Sequence, residues 1–192
     1  MEEVFTDETY DQVDFREKDL RKDEYDNCVF INCDFSSTNL TDTKFLDCEF
    51  NGCNLSLANV TGTAFRDVKF RNCKMLGLRF DVCNTFGFAF SAENCNLNNS
   101  SFYKVKLSKT RFSNLQLHEC DFTECDLSSS VLDNCDFAGA VFNNALLEKA
   151  DFQTSYNYSI HPETNRIRKA KFSLSGLPGL LDRYDIIIDQ HS

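Results

Sequence analysis

Only two prolines and three histidines occur among the 192 residues of this chain, and no run of eighteen apolar residues appears anywhere in it. The last absence predicts that the chain does not enter a membrane as a helix. The amino-terminal stretch MEEVFTDETY is acidic where a secretion signal needs a basic and then an apolar segment, so a cytoplasmic chain is expected. Basic residues are also scarce, 20 against 30 acids, for a net charge of −10. That balance argues against nucleic acid as a direct ligand, which calls for a basic footprint. No phosphate loop, dinucleotide fingerprint, Gly-x-Ser-x-Gly or His-Glu-x-x-His is found, which predicts a protein that is not an enzyme and holds no cofactor.

What is abundant is phenylalanine, at 19 residues, and its placement is periodic. Every fifth residue from Phe5 to Phe90 is apolar except Thr85, and after a seven-residue step the series resumes as Leu97, Phe102, Leu107, Phe112 and onward to Phe152. Of the 19 phenylalanines, 16 lie on these central positions, against roughly four by chance if a fifth of sites were sampled.

A second column lies two residues before each centre and holds small side chains, among them Cys28, Thr38, Thr43, Ala58, Thr63, Ser130, Ala140 and Ala150. All ten cysteines fall in it. A free thiol behaves as a small buried hydrophobe, so cysteine stands here where alanine also serves. Close pairs are spaced Cys-x4-Cys, not the Cys-x2-Cys that grips zinc, and His118, His161 and His191 are scattered. Disulfides are conceivable where Cys33, Cys53 and Cys73 stack at twenty-residue intervals, but a reducing compartment disfavours them.

A period of five matches neither an α-helix nor the alternation of a flat strand. A chain that turns a corner every five residues satisfies it, pointing one large and one small side chain inward from each unit and stacking units coil on coil. A leucine-rich solenoid and an irregular sandwich are the remaining rivals. Both prolines, Pro162 and Pro178, lie beyond the main array, as stacked coils that use main-chain N–H groups require.

The units Cys33-Asp34-Phe35-Ser36-Ser37, Cys125-Asp126-Leu127-Ser128-Ser129 and Ala150-Asp151-Phe152-Gln153-Thr154 resemble those of the pentapeptide-repeat family, and the likeness runs from residue 5 to 154. It implies an all-β fold, a right-handed quadrilateral β-helix with four units to a coil. Thirty units then make about seven and a half coils, a rod of roughly 36 Å at about 4.8 Å per stacked strand.

Along the chain this divides into an acidic capping coil (1–27), a first block (28–90), a phase shift (91–96), a second block (97–172) and a carboxy-terminal module (173–192). Residues 84–96 carry the phase change, with Gly87 inside it, and read as a bulge or a small functional loop. Ala170-Lys171-Phe172 repeats Ala150-Asp151-Phe152 twenty residues on, so a further partial coil is expected around an excursion at His161-Pro162. Beyond it, Ser175 to Pro178 reads as a helix start, Gly179 to Tyr184 as a short helix and Ile186 to Ile188 as a strand. In the gyrase-protecting branch of the family, known for quinolone resistance, such an end joins two copies. The resemblance implies a homodimer contact through Leu180, Leu181, Tyr184, Ile186, Ile187 and Ile188, with capping of its own coil as the alternative.

Residues 1–27 carry a net −7, residues 28–155 a net −4 and residues 156–192 a net +1, so charge is concentrated at one tip. Lys69 and its neighbours form a basic belt, as do Lys104, Lys106, Lys109 and Arg111; Glu119, Asp121, Glu124, Asp126, Asp133 and Asp136 form an acidic one. Two functions follow. By resemblance, the protein is a rod-shaped dimer that binds a type II DNA topoisomerase as a mimic of duplex DNA, with the acidic belt as contact surface. Otherwise it is a general interaction scaffold. Banded charge weakens the first, because a mimic needs continuous acid.

Overall fold

The computed structural model describes residues 3–18, 20 and 22–188; of the expected amino-terminal cap, Met1, Glu2, Asp19 and Arg21 lie outside them, as do residues 189–192 of the carboxy-terminal module. Its strands are β1 (Val4–Thr6), β2 (Thr9–Asp11), β3 (Glu24–Asp26), β4 (Val29–Ile31), β5 (Lys44–Leu46), β6 (Glu49–Asn51), β7 (Ala64–Arg66), β8 (Val68–Arg71), β9 (Phe90–Glu93), β10 (Arg111–Ser113) and β11 (Val131–Asp133). All pairings are parallel, and one sheet runs β1-β3-β5-β7 while the other runs β2-β4-β6-β8-β9-β10-β11. Partners other than β8 and β9 stand twenty residues apart, as Tyr25 and Phe45 or Phe30 and Phe50, so four five-residue units close a coil of a right-handed quadrilateral β-helix. The first side carries Phe5, Tyr25, Phe45 and Phe65; the second Tyr10, Phe30, Phe50 and Phe70; the third Phe15, Phe35, Leu55 and Met75; the fourth Leu20, Leu40, Val60 and Phe80.

Central residues fill the axis. Tyr10, Phe30, Phe50 and Phe70 form one column with ring centres 5.1, 4.6 and 5.1 Å apart. Phe80, Phe102, Phe122 and Phe142 form another at 4.9, 4.8 and 5.0 Å. These separations match the coil rise of about 4.8 Å and lie within the range where offset rings attract.

The small column does more than save space. Thr43, Thr63, Ser130 and Ser155 donate their hydroxyls at 2.6–2.7 Å to the carbonyls of Leu20, Leu40, Leu107 and Leu132, central residues of the coil before. The thiols of Cys48, Cys53 and Cys120 take the same bond at 3.1–3.3 Å. Cysteine therefore occupies the column as a small donor as well as a small hydrophobe. All ten are buried and free.

Corners are made by two polar positions. The residue two after most centres has a left-handed backbone, as at Asn32, Asp42, Asp47, Asn72 and Gly62, where residues without a bulky branched side chain are least strained. At many corners the residue before the centre accepts the N–H two positions on, as Asp34 does from Ser36 at 2.8 Å and Asn54 from Ser56 at 3.1 Å. Leu57 breaks the corner rule, with φ of 60° and 67% exposure. Leu57→Asn is expected to stabilise the protein by about 1 kcal/mol, raising the melting temperature by about 2–4 °C; thermal unfolding followed by circular dichroism checks it.

The register changes earlier than the apolar series suggests. Gly62 still bonds Val82, twenty residues on, but β8 pairs β9 with Val68 opposite Phe90 and Phe70 opposite Ala92. The two extra residues therefore lie between Val82 and Phe90, not at 91–96. Ala92 takes the central position, while Phe90 stands in the small column. A second slip near the end corrects itself: Phe142 bridges Ile160, eighteen residues on, and Leu146 bridges Arg166, twenty on, after a turn at 162–164. Phe172 then stacks on Phe152 at 5.4 Å.

Candidate interaction surface

The carboxy-terminal segment leaves the last coil through a 3-10 turn, Leu174–Gly176, whose amino end is capped by the Ser173 hydroxyl accepting from Gly176 at 3.1 Å. Helix α1 (Pro178–Leu181) follows, with proline in its first turn where a missing N–H costs nothing. The Gly179 carbonyl accepts the Ile160 N–H at 2.8 Å, and a Cβ on Gly179 would lie 2.1 Å from the Tyr158 carbonyl oxygen. Close approach of the helix to the coil thus needs glycine at that position.

This docking divides the six residues expected to join two copies. Leu180 is buried and Leu181 half-buried against the chain's own coil. Tyr184 donates to Glu163 at 3.0 Å and stacks on His161. Ile186, Ile187 and Ile188 are 55, 99 and 40% exposed. They form no strand. A strand needs a neighbour for its main-chain groups, and none of the described residues supplies an edge there.

The acidic belt is a ring around the rod. Eighteen consecutive residues nearly complete one coil, so Asp126 falls on the first side, Asp133 on the second, Asp136 on the third and Asp121 on the fourth, with Glu119 and Glu124 at corners. Several of these carboxylates also serve the fold. Asp121 and Asp126 accept the N–H groups of Thr123 and Ser128 at 2.8 and 2.9 Å, and Asp133 accepts from Thr154 at 2.8 Å. Burial pushes the Asp136 carboxyl up, but bonds from Asn157, His118 and the Ala138 N–H outweigh it and hold the group below its ordinary value. Glu119 and Glu124 stand outward, Glu124 facing Lys104 at 3.5 Å.

In the sequence the acid before a centre reads as surface charge, and its turn bond becomes visible in the structure. The recurrence of Asp or Asn there, irrespective of neighbouring charge, is the signal that reveals it. Three of the thiols are poor nucleophiles, since burial pushes Cys48, Cys120 and Cys135 up to about 12; Cys53 and Cys95, each hydrogen-bonded to Cys73, are lowered, but both are buried. Among the described residues no group of three ligating side chains could hold a metal, and no helix is long and apolar enough to cross a membrane.

The family model for a pentapeptide repeat region matches residues 23–92 and 91–159. No curated protein matches the chain. Among solved structures, a trypsin-treated variant of QnrB1, a plasmid-mediated fluoroquinolone resistance protein, is 20% identical over 98% of this chain and 100% of that one, with a TM-score of 0.61. Full-length QnrB1 is 18% identical over 95% and 100%, with a TM-score of 0.55. HetL, a pentapeptide-repeat protein involved in heterocyst differentiation regulation in the cyanobacterium Nostoc, is 16% identical over 90% and 85%, with a TM-score of 0.50. At these identities the likeness is one of fold. The matched repeat, five-residue corners and stacked central columns together place the chain in the pentapeptide-repeat family.

Proposed function

We propose that this protein is a non-catalytic interaction rod that works as a two-fold dimer joined through its carboxy-terminal segment. The observation that carries this is the exposure of Ile186, Ile187 and Ile188 beside a helix already docked on its own coil. Three adjacent exposed isoleucines, whose main-chain groups make no hydrogen bond among the described residues, suit pairing with the same segment of a second copy. Light scattering at micromolar concentration is expected to give twice the monomer mass. Ile187→Asp, at a side chain 99% exposed in the monomer, is expected to give the monomer with unchanged circular dichroism. A wild-type monomer, or a dimer unaffected by this change, would count against the reading.

For the partner, the likeness of fold to a fluoroquinolone resistance protein favours a type II DNA topoisomerase over an unrelated scaffold client. Supercoiling by gyrase, measured with and without ciprofloxacin, is expected to change when the protein is added at stoichiometric amounts. Glu119→Lys with Glu124→Lys is expected to reduce that change. These two are the acids to reverse, because Asp121 and Asp126 also hold turns and their loss would perturb the coil. No effect of the protein at excess would leave the general scaffold as its function.

A further inference from the structure

We propose that a notch on the corner between the first and second sides, at the register change, binds acidic side chains on an extended segment of another protein. At regular levels this corner projects a left-handed residue outward: Asp47, Asp67, then Lys109, Ser129. Between Asp67 and Lys109 the chain instead cuts across through Gly87, Phe88 and Ala89, and leaves a cavity of about 360 Å³. Its lining includes Asp67, Lys69, Phe88, Ala89, Lys109 and Arg111. Ser91, small and half-buried, pairs with Lys69, and the register of Ala92 with Phe112 sets it beside Arg111 as well.

Some cations elsewhere on the rod are neutralised by a carboxylate of the neighbouring coil. Lys44 faces Glu24 at 2.9 Å, Lys104 faces Glu124 at 3.5 Å and Lys171 faces Asp151 at 2.9 Å, each one coil away. Lys69 has Glu49 opposite it, but Arg71 takes that carboxylate at 2.6 Å. Among the described residues, none of Lys69, Lys109 and Arg111 makes an ion pair. Three unpaired cations thus surround one indentation on a chain of net charge −10, and they repel one another unless an anion enters.

The same corner continues with Lys149 and Lys169, which with Arg168, Glu148, Ser128 and Ser129 line a second hollow of about 330 Å³, three bases against one acid. From Lys109 these stand two and three coils away, about 10 and 14 Å. An extended segment of four or five residues spans that distance at about 3.3 Å each. Half-buried Phe88 on the floor, and Phe86 beside it at 75% exposure with the Arg66 guanidinium 5.0 Å over its ring, offer apolar contact that a phosphate backbone cannot use. The proposal is independent of the dimer and of the topoisomerase reading, since neither uses this corner.

The test measures fluorescence anisotropy of labelled octapeptides alternating glutamate with valine and lysine with valine, and of oligothymidylate, against the full chain. Saturable binding of the glutamate peptide alone is expected, weakening as salt is raised. Lys69→Glu with Arg111→Glu is expected to weaken it at least about tenfold. Ser91→Glu, which sets a carboxylate between those two cations, is expected to do the same while raising the melting temperature, so loss of fold is not the cause. No saturable binding by the wild type, equal binding by both variants, or tighter binding of oligothymidylate at the same residues would each overturn the proposal.

Discussion

Phe122→Ala is expected to lower the unfolding free energy by about 3–5 kcal/mol. The ring is fully buried between those of Phe102 and Phe142, at 4.8 and 5.0 Å and within 7° of parallel to both. Phe137 meets its edge at 5.8 Å. Most cavities shrink because neighbouring side chains move in, but the coils above and below are held at about 4.8 Å by their main-chain ladder, so this one stays open. Each lost ring pair adds about 0.5–1.5 kcal/mol beyond the buried area. At this chain length the melting temperature should fall by about 2–4 °C for each kcal/mol. Phe122→Leu, which keeps a large side chain at the centre as many other units do, is expected to recover more than half of the loss. Urea unfolding followed by circular dichroism checks both. A cost below about 1 kcal/mol for the alanine would mean that the coils relax inward and that ring stacking does not set the stability.

The same geometry explains why so much of the fold was legible in the sequence. Each unit meets the same neighbours twenty residues before and after, so the requirement for one large and one small inward residue is written again at every unit. Phe30, Phe50 and Cys48 announce their places by spacing alone. Features that depend on proximity in space were harder to see. The six acids of the belt fall within eighteen consecutive residues and therefore lie on all sides of the rod, whereas residues that share a surface, such as Lys109, Lys149 and Lys169, are twenty or more apart. Turn bonds by Asp34 or Asp121 are hidden because the same carboxylate also looks like solvated charge. The isoleucines at 186–188 read as a strand by composition, yet a strand is a relation between two segments, and among the described residues no second one lies beside them.

Phe90 hid the register change for a related reason, since an apolar residue at a multiple of five satisfies either column until its size is considered. Its ring lies on Phe80 at 5.1 Å, edge-on to Phe70 at 5.8 Å and 5.4 Å from Phe112. It fills, from the small column, the space that Ala92 leaves open between Phe70 and Phe112. Phe90→Ala sets two alanines at one level and is expected to cost about 3–5 kcal/mol. Ala92→Phe alone adds a ring where Phe90 already stands and is expected to cost about 1–3 kcal/mol. Combining the two returns the level to the ordinary arrangement of a small residue followed by a large one. The double variant should therefore be more stable than Phe90→Ala, with a coupling of about 1–3 kcal/mol in the cycle. Costs that simply add would show that the two positions do not share one volume. Because a solenoid unfolds through nearest-neighbour contacts, weakening this level should also separate the two blocks. Urea unfolding of Phe90→Ala is then expected to proceed in two transitions where the wild type shows one, and the double variant to restore the single transition.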